Sequence, residues 1–564
     1  MTKRLLAILF SLPLFTLLSY SQKSVNDNLL RDIVRNNGQV EVTISETVVK
    51  SIDWLSVNTS ISSIRDKTVH IVLSPLTLEW FISQNFDYKI AERTESKGII
   101  SSASMKQALG WDTYPTYSQY DSIMKSFVAA YPSLCRLETI GTSINGKLVQ
   151  VLKISDNASA DEDEPEVFYT STIHGDETGG FVLMLRLADY LLKNYNLNSR
   201  VKNLVDNLEI WINPLANPDG TYNSGDLISS PVRFNANGYD LNRNFPDPVT
   251  PYSFSNIKQK ETLDIIRFMS RHNFVLSANF HSGTEVVNYP WDRWKCPRLH
   301  ADDSWFINIS RKYADTVHFY SGPVYMTGFN NGITNGAAWY VINGGRQDFM
   351  TYDLHGREVT VELDDNWITP SDQLNSLWQY NWHSLIGYLE NAMYGIQGSV
   401  IDINTKEPVA ARVFITGHDK DNSQIFSDTL TGGFIRLIAP GSWDLLFSAN
   451  GYRDTVISNI LVSEGQKTLL NVEMKPISVD GTLLYPNPAS QNLKIILPEN
   501  ILGDVNIMIF NLSGIKMLDF NTKAFLGIPV VIDVSHMAAG LYNMLITNRV
   551  TKISNNARFV VLRR

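Results

Sequence analysis

Cysteine is almost absent from this sequence: Cys135 and Cys296 are the only two in 564 residues. Two thiols so far apart support no disulfide framework and cannot by themselves form a Cys-type zinc site. Clustered positive charge is missing too. Lys and Arg number 48 against 57 Asp and Glu, a net charge of -9, and no basic run dominates. That balance excludes a general nucleic-acid binder, which depends on counterion release by grouped Lys and Arg. There is no internal repeat at solenoid periods and no low-complexity tract. What remains is ordinary globular material, 44% hydrophobic and 19% charged, with length for about four folded units.

The longest apolar run stands at the N-terminus. In MTKRLLAILFSLPLFTLLSYSQKS, Lys3 and Arg4 form a positive head, Leu5 to Leu18 an apolar stretch and Ser19 to Ser21 a small-residue exit. This is the pattern of a secretory signal peptide over residues 1–21, with no stop-transfer sequence behind it, so the mature chain is expected to carry no transmembrane segment. Residues 22–110 alternate strand-like VEVTI and VHIVL with helical LTLEWFISQNF and end in a polar linker. They predict a small α+β unit, read as an N-terminal domain or pro-segment. Over 111–394, the runs EVFYTSTI, LEIWINPL, FVLSANFH and VTVEL alternate with helical FVLMLRLADYLLKNY and LWQYNWHSLIGYLEN. The expected fold class there is α/β, a mixed β-sheet covered by helices. From Gly395 onward, short strands punctuated by Gly and Pro predict two small all-β sandwich domains, at 395–476 and 480–564.

Chemistry gathers at a few strand ends. The run YTSTIHGDETGG, residues 169–180, leaves a strand through His174, Asp176 and Glu177 just before a long apolar segment. In open α/β sheets ligands collect at the carboxyl ends of strands, and an imidazole and a carboxylate three residues apart are suitable zinc ligands. A catalytic zinc takes three protein groups, so a third is required. FVLSANFHSG ends a second strand-like run on His281, which supplies it. The intervening loop holds Arg233, Asn242 and Arg243, and the planar guanidinium fork suits a free carboxylate. In REVTVELDDN the alternation puts Glu358, Thr360 and Glu362 on one face. A half-exposed strand accounts for that pattern without any function; a general base near a metal accounts for it as well.

Taken together, HGDE, NPDG, VRFNANGYDLNRNFPD, HSGTEVVNYPWD, GGRQDFMTYD and REVTVEL, in this order across about residues 111 to 393, resemble the zinc carboxypeptidases, specifically the branch called N/E or regulatory type. The resemblance implies one Zn2+ held by His174, Glu177 and His281. It makes Glu362 the catalytic glutamate and Arg233 the group that polarises the scissile carbonyl. Asn242 and Arg243 would clamp the substrate's terminal carboxylate. Tyr352 would be the mobile tyrosine that closes over the substrate, although QDFMTYD differs from the usual QDFNY spacing. Asp292 and Gln347 match side-chain pocket positions, and a carboxylate there implies preference for C-terminal Lys or Arg. Residues 395–476 are similar to the transthyretin-like sandwich that follows this domain in the N/E branch. The tail, with LYPNPAS and AAGLYNMLI, resembles the sorting domain read by type IX secretion machinery. That implies a secreted or surface-attached protein exported through the periplasm. A non-catalytic peptide- or matrix-binding module on the same fold, and a peptidase acting on cell-wall peptides, are the alternatives.

Overall fold

A computed structural model describes residues 26–91, 98–249, 257–477 and 481–562. The signal-peptide expectation lies outside the described residues. Eight strands form the central sheet: β5 (Cys135–Thr142), β6 (Leu148–Ile154), β7 (Glu166–Ser171), β8 (Glu209–Asn213), β9 (Phe274–His281), β10 (Thr284–Tyr289), β11 (Ile333–Asn335) and β12 (Arg357–Asp364). Their spatial order is β11-β10-β12-β9-β7-β8-β6-β5. The pairs β7/β8, β7/β9 and β12/β9 are parallel, while β10/β12, β5/β6 and β6/β8 are antiparallel. The sheet is therefore mixed, as expected, and helices cover both faces.

On one face, helices Tyr117–Ala130, Gly179–Asn194, Asp303–Ser321 and Leu374–Glu390 bury their apolar stripes in the largest core, with Phe181, Leu185, Leu385 and Leu389 inaccessible to solvent. The first of these starts on a capping box, Thr116 with Gln119, which satisfies two orphan backbone donors reciprocally. Helix Lys260–Met269 covers the other face, where Phe268 and Phe274 meet Phe168. Because both faces are covered, β12 is not half exposed. Glu358 is buried and paired with Arg346 at 3.0 Å, and of the strand's eight residues only Glu362 keeps part of its surface accessible.

Ahead of this body stands a four-stranded sheet of order β2-β3-β1-β4, built from β1 (Val40–Ser45), β2 (Ser60–Arg65), β3 (Thr68–Leu73) and β4 (Tyr88–Ile90), with helices at 26–37, Ile52–Asn58 and Leu78–Ser83. This is the expected α+β unit, with an apolar core of Val42, Ile61, Ile71 and Phe81. Behind the body come two all-β units, each made of two sheets closing on one core, around Val400, Val413 and Phe447 in the first and Ile495, Ile507 and Phe559 in the second. Among the described residues no helix is long and apolar enough to cross a membrane. Cys135 is buried, Cys296 is exposed, and both are free thiols.

The first all-β unit is bolted to the central sheet by charge. Arg436, fully buried, donates to both oxygens of Asp302 at 2.8 and 3.0 Å and to Asp419 at 2.7 Å, while Arg357 at the start of β12 donates to Asp302 at 2.8 Å. Burial works to raise both carboxylates, but Arg436 outweighs it, holding Asp419 at about 2 and Asp302 lower still. Arg436→Met should cost about 3–5 kcal/mol, because it takes the shared cation from two buried carboxylates and leaves Asp302 to Arg357 alone; urea unfolding measures it. An unfolded Asp titrates near about 3.9, so the stabilisation by these depressed groups is complete above about pH 4 and lost as pH falls toward 2. The parent protein should show that loss between those values, and the variant a smaller one.

Candidate active site

The sheet's register brings the candidate residues together. In the parallel pair β7/β9, Ser171 lies opposite Phe280, and in β12/β9, Glu362 lies opposite His281. Beyond β7 the chain turns sharply at Thr172, a β-branched residue held at φ 59°. That conformation costs on the order of 1–3 kcal/mol, and Thr172 is pinned there by its Oγ1 donating to Glu177 O at 3.1 Å and its carbonyl accepting from Asn217 N at 3.1 Å. The turn packs backbone to backbone: a Cβ on Gly175 would stand 2.3 Å from the carbonyl carbon of Gly220. Only glycine permits that approach.

His174, Glu177 and His281, all buried, offer ligand atoms within 4.8 Å of one another. His174 Nδ1 faces Glu177 Oε1 at 2.8 Å, His281 Nδ1 faces Glu177 Oε2 at 2.6 Å, and the two Nδ1 atoms are 3.1 Å apart. Burial pushes His281 down to about 4, so its ring is neutral. Two imidazole nitrogens and a carboxylate aimed at one point, with more lone pairs than protons to share, are the donor set of a divalent cation of borderline softness such as zinc. The outer nitrogens are oriented as well. His174 Nε2 contacts Asp240 Oδ1 at 3.0 Å. His281 Nε2 meets the side-chain amide of Asn279, whose nitrogen is placed 2.8 Å away while its Oδ1 is buried without a partner. Turning that amide over lets Oδ1 accept the Nε2 proton and satisfies both atoms.

The other expected residues surround this triad unevenly. Arg233, Asn242, Arg243, Asp292 and Glu362 line the same cavity. Arg233 Nη1 donates to Glu177 at 2.9 Å and its Nε to Asp240 at 3.1 Å. Glu362 Oε2 is buried without a hydrogen-bond partner. Burial, reinforced by Glu177, raises Glu362 well above the usual carboxylate range despite Arg233. Asp292 accepts from Gln347 Nε2 at 3.0 Å and Asn288 Nδ2 at 3.1 Å, and burial lifts it to about 6. Gly336 makes room for it: a Cβ there would come within 1.9 Å of Asp292 Oδ1.

Tyr352 is the correction. It does not line the cavity, and its ring rests on Trp291 and Trp294, with centroids 6.1 and 5.5 Å away. Residues Phe349–Asp353 form a π-helical turn, closed by Leu354 N donating to Phe349 O at 3.3 Å. Within this widened turn Thr351 is buried, while Tyr352 is half-buried away from the cavity. The tyrosine on the cavity wall is Tyr340, between Arg243, Arg233 and Glu362, with its hydroxyl raised to about 12 by burial. Sequence reasoning missed it because AAWYVI reads as a plain apolar run. It missed Asp240, Asn279 and Asn288 for the same kind of reason, since each matters only through what it touches.

Comparisons with known proteins place the chain among described families. Residues 120–384 match the family described as zinc carboxypeptidase, and residues 483–561 match the secretion system C-terminal sorting domain. The chain is 32% identical over 404 residues to the carboxypeptidase N catalytic chain of Rattus norvegicus, covering 64% of this chain and 86% of that protein. It is 33% identical over 393 residues to carboxypeptidase D of Homo sapiens, covering 67% of this chain but only 27% of that longer relative. A solved carboxypeptidase A from Helicoverpa armigera aligns over 63% of this chain and 97% of its own at 18% identity, with a TM-score of 0.49.

If Asn279 accepts the outer proton of His281, Asn279→Ala should weaken zinc binding about 10–100-fold. Competition against a chromogenic chelator reads this directly, without any assay of turnover.

Proposed function

Because this chain belongs to the zinc carboxypeptidase family, we propose that it removes the C-terminal residue of peptides and proteins, with a preference for Lys or Arg, after export through type IX secretion machinery. One observation carries the reading: a carboxylate oxygen buried without a partner, Glu362 Oε2, shares a single cavity with a His-Glu-His triad and with Arg243 and Asn242. Zn2+ held by His174, Glu177 and His281 supplies Lewis acidity, which activates water and polarises a carbonyl.

The chain's own groups do the rest. Arg243, with Asn242 beside it, offers the guanidinium donors that hold a terminal carboxylate. Arg233 stands against Glu177 and presents positive charge where the scissile carbonyl gathers its negative charge, the kind of preorganised field that contributes most to such reactions. Glu362 Oε2 takes the proton of the attacking water and returns it to the leaving amine; its raised proton affinity suits both halves of that exchange. Tyr340 closes the wall beside Arg243.

Side-chain preference rests on acceptors. Asn288 and Gln347 spend their amide N–H groups on Asp292, which leaves Asn288 Oδ1 and Gln347 Oε1 buried without partners. A cationic side chain with several donors would satisfy all three residues, whereas an apolar one would leave them stranded. The sorting-domain match at the C-terminus supports export.

Glu362→Gln should lower kcat by about 10²–10⁴-fold while zinc content, read by atomic absorption, stays at that of the parent; near-parental turnover would defeat the assignment. For Asp292→Asn, the ratio of kcat/KM for Arg-terminated over Leu-terminated peptides should fall about 10–100-fold. A ratio that does not move would place the specificity elsewhere.

A further inference from the structure

Asp292 can select a side chain only if its carboxylate is held in place, yet it lies past the end of β10, where no strand neighbour steadies the chain. Its backbone finds other partners. Asp292 O accepts from Ile342 N at 3.1 Å, and Asp292 N donates to Asp348 Oδ1 at 3.0 Å. The next amide, Arg293 N, donates to the second oxygen of the same group, Asp348 Oδ2, at 2.8 Å. One buried carboxyl group thus takes two consecutive amides of the turn that carries the pocket acid. Asp292 lines the cavity and Asp348 does not.

Asp348 is itself fixed, because it ends the short helical turn Arg346–Asp348. At the start of that turn Arg346 N donates to Asn242 Oδ1 at 2.9 Å. The Arg346 guanidinium, fully buried, meets Glu358 of β12 at 3.0 Å and Ser277 of β9 at 3.1 Å. In the middle of the turn, Gln347 Nε2 reaches Asp292 Oδ1, the oxygen that Asn288 Nδ2 also addresses. The two amides set the rotation of the Asp292 carboxylate, and Asp348 sets the main chain from which it hangs. A buried carboxyl group with no ionic partner among the described residues is costly, and burial together with Asp292 raises Asp348 well above the usual range. The fold accepts that cost at a place where two donors need two acceptor oxygens at once, which a carboxyl group offers and a carboxamide does not.

We propose that Asp348 is a positioning residue for substrate selection: by gripping the amides of Asp292 and Arg293, it aims the Asp292 carboxylate at the cationic side chain of a C-terminal Lys or Arg. The proposal rests on the peptidase reading for what Asp292 selects. Asp348 touches no substrate and acts only through its neighbour, so its effect belongs to the choice among substrates and disappears when Asp292 has lost its charge.

Two variants of the zinc-loaded full chain test this. Asp348→Asn keeps the shape but offers one acceptor oxygen to two amides, and Asp348→Ala offers none. In either, the ratio of kcat/KM for Arg-terminated over Leu-terminated peptides should fall about tenfold, the effect of a buried donor left unpaired. Made in Asp292→Asn, the same substitutions should move that ratio by less than about twofold, a non-additivity that a double-mutant cycle reads directly. A merely structural loss would lower both peptides alike. An unmoved ratio, effects that add in the cycle, or failure of both variants to fold overturns the proposal and leaves the peptidase reading intact. If the parent hydrolyses neither peptide, the peptidase reading falls, and calorimetric affinities for free arginine and free leucine take the place of kcat/KM. A fall of about tenfold in their ratio in Asp348→Asn then upholds the positioning role, whereas an unmoved ratio, or no binding of arginine to the parent, ends it as well.

Discussion

Everything at the site depends on the parallel register of β7, β9 and β12. Side chains alternate across a sheet, so a slip of one residue moves every group to the other face. With Ser171 opposite Phe280 and His281 opposite Glu362, the first two strands end at one edge and the third carries its carboxylate past that edge. A slip of β12 alone would put Val361 or Leu363 beside His281 and send Glu362 into the core under the helices. Burial on both faces makes such a slip expensive: Val359, Val361 and Leu363 are fully enclosed on one side, while Glu358 needs Arg346 on the other. The same packing that stabilises the sheet therefore holds the catalytic geometry.

The second constraint is charge balance in a dry space. Glu177, Asp240, Arg233 and the two histidines are all buried and mutually in contact. Isolated, each ionised group would pay a heavy desolvation cost. As a network they neutralise one another, and Asp240 is its hub: one oxygen orients His174 and accepts from Asn242 N, and the other accepts from Arg233 and Ser60. Ser60 comes from the N-terminal unit, so the network extends across the boundary between that unit and the body. A divalent cation within the triad adds positive charge to a set in which Glu177 and Asp240 already work to raise His174's affinity for a proton. The carboxylates face the position of the charge they are arranged to hold.

How much of this could be read from the chain follows from which features are local. A histidine at the end of an apolar run, with a carboxylate three residues later, announces a strand-end site, and His174, Glu177 and His281 were legible for that reason. The α/β alternation and the change to short strands after Gly395 were legible from periodicity. Tyr340 was not, since nothing in AAWYVI separates a tyrosine on the cavity wall from one in the core; Tyr352 drew attention through the neighbouring QDF motif, and only the π-helical turn shows where its ring goes. The burial of Glu358 was hidden likewise, because its partner Arg346 lies in another segment. The expectation of a small α+β unit held, but its relation to the site did not show in its sequence. Ser60, Ile61 and Ser62 look like any edge strand until Arg233, Arg243 and Asp240 are set against them.

The two ends of β12 explain how one scaffold serves both anchoring and catalysis. At its start, Arg357 joins Asp302, Arg436 and Asp419 in the ionic bolt to the first all-β unit; five residues on, Glu362 stands in the cavity. A strand clamped at one end and hydrogen-bonded to β9 and β10 along its length has little freedom at the other. That rigidity suits a proton-transfer group, which must be held to a fraction of an ångström. By contrast, Arg233 and Arg243 come from the segment between β8 and β9, and their guanidinium groups are steadied both within the body, by Glu177, Asp240 and Asn242 O, and from the N-terminal unit, by Ser60 Oγ and Ile61 O. The proposed general base is thus built into the sheet, whereas Arg243, proposed to receive the substrate's carboxylate, takes one of its partners from a backbone carbonyl of the N-terminal unit.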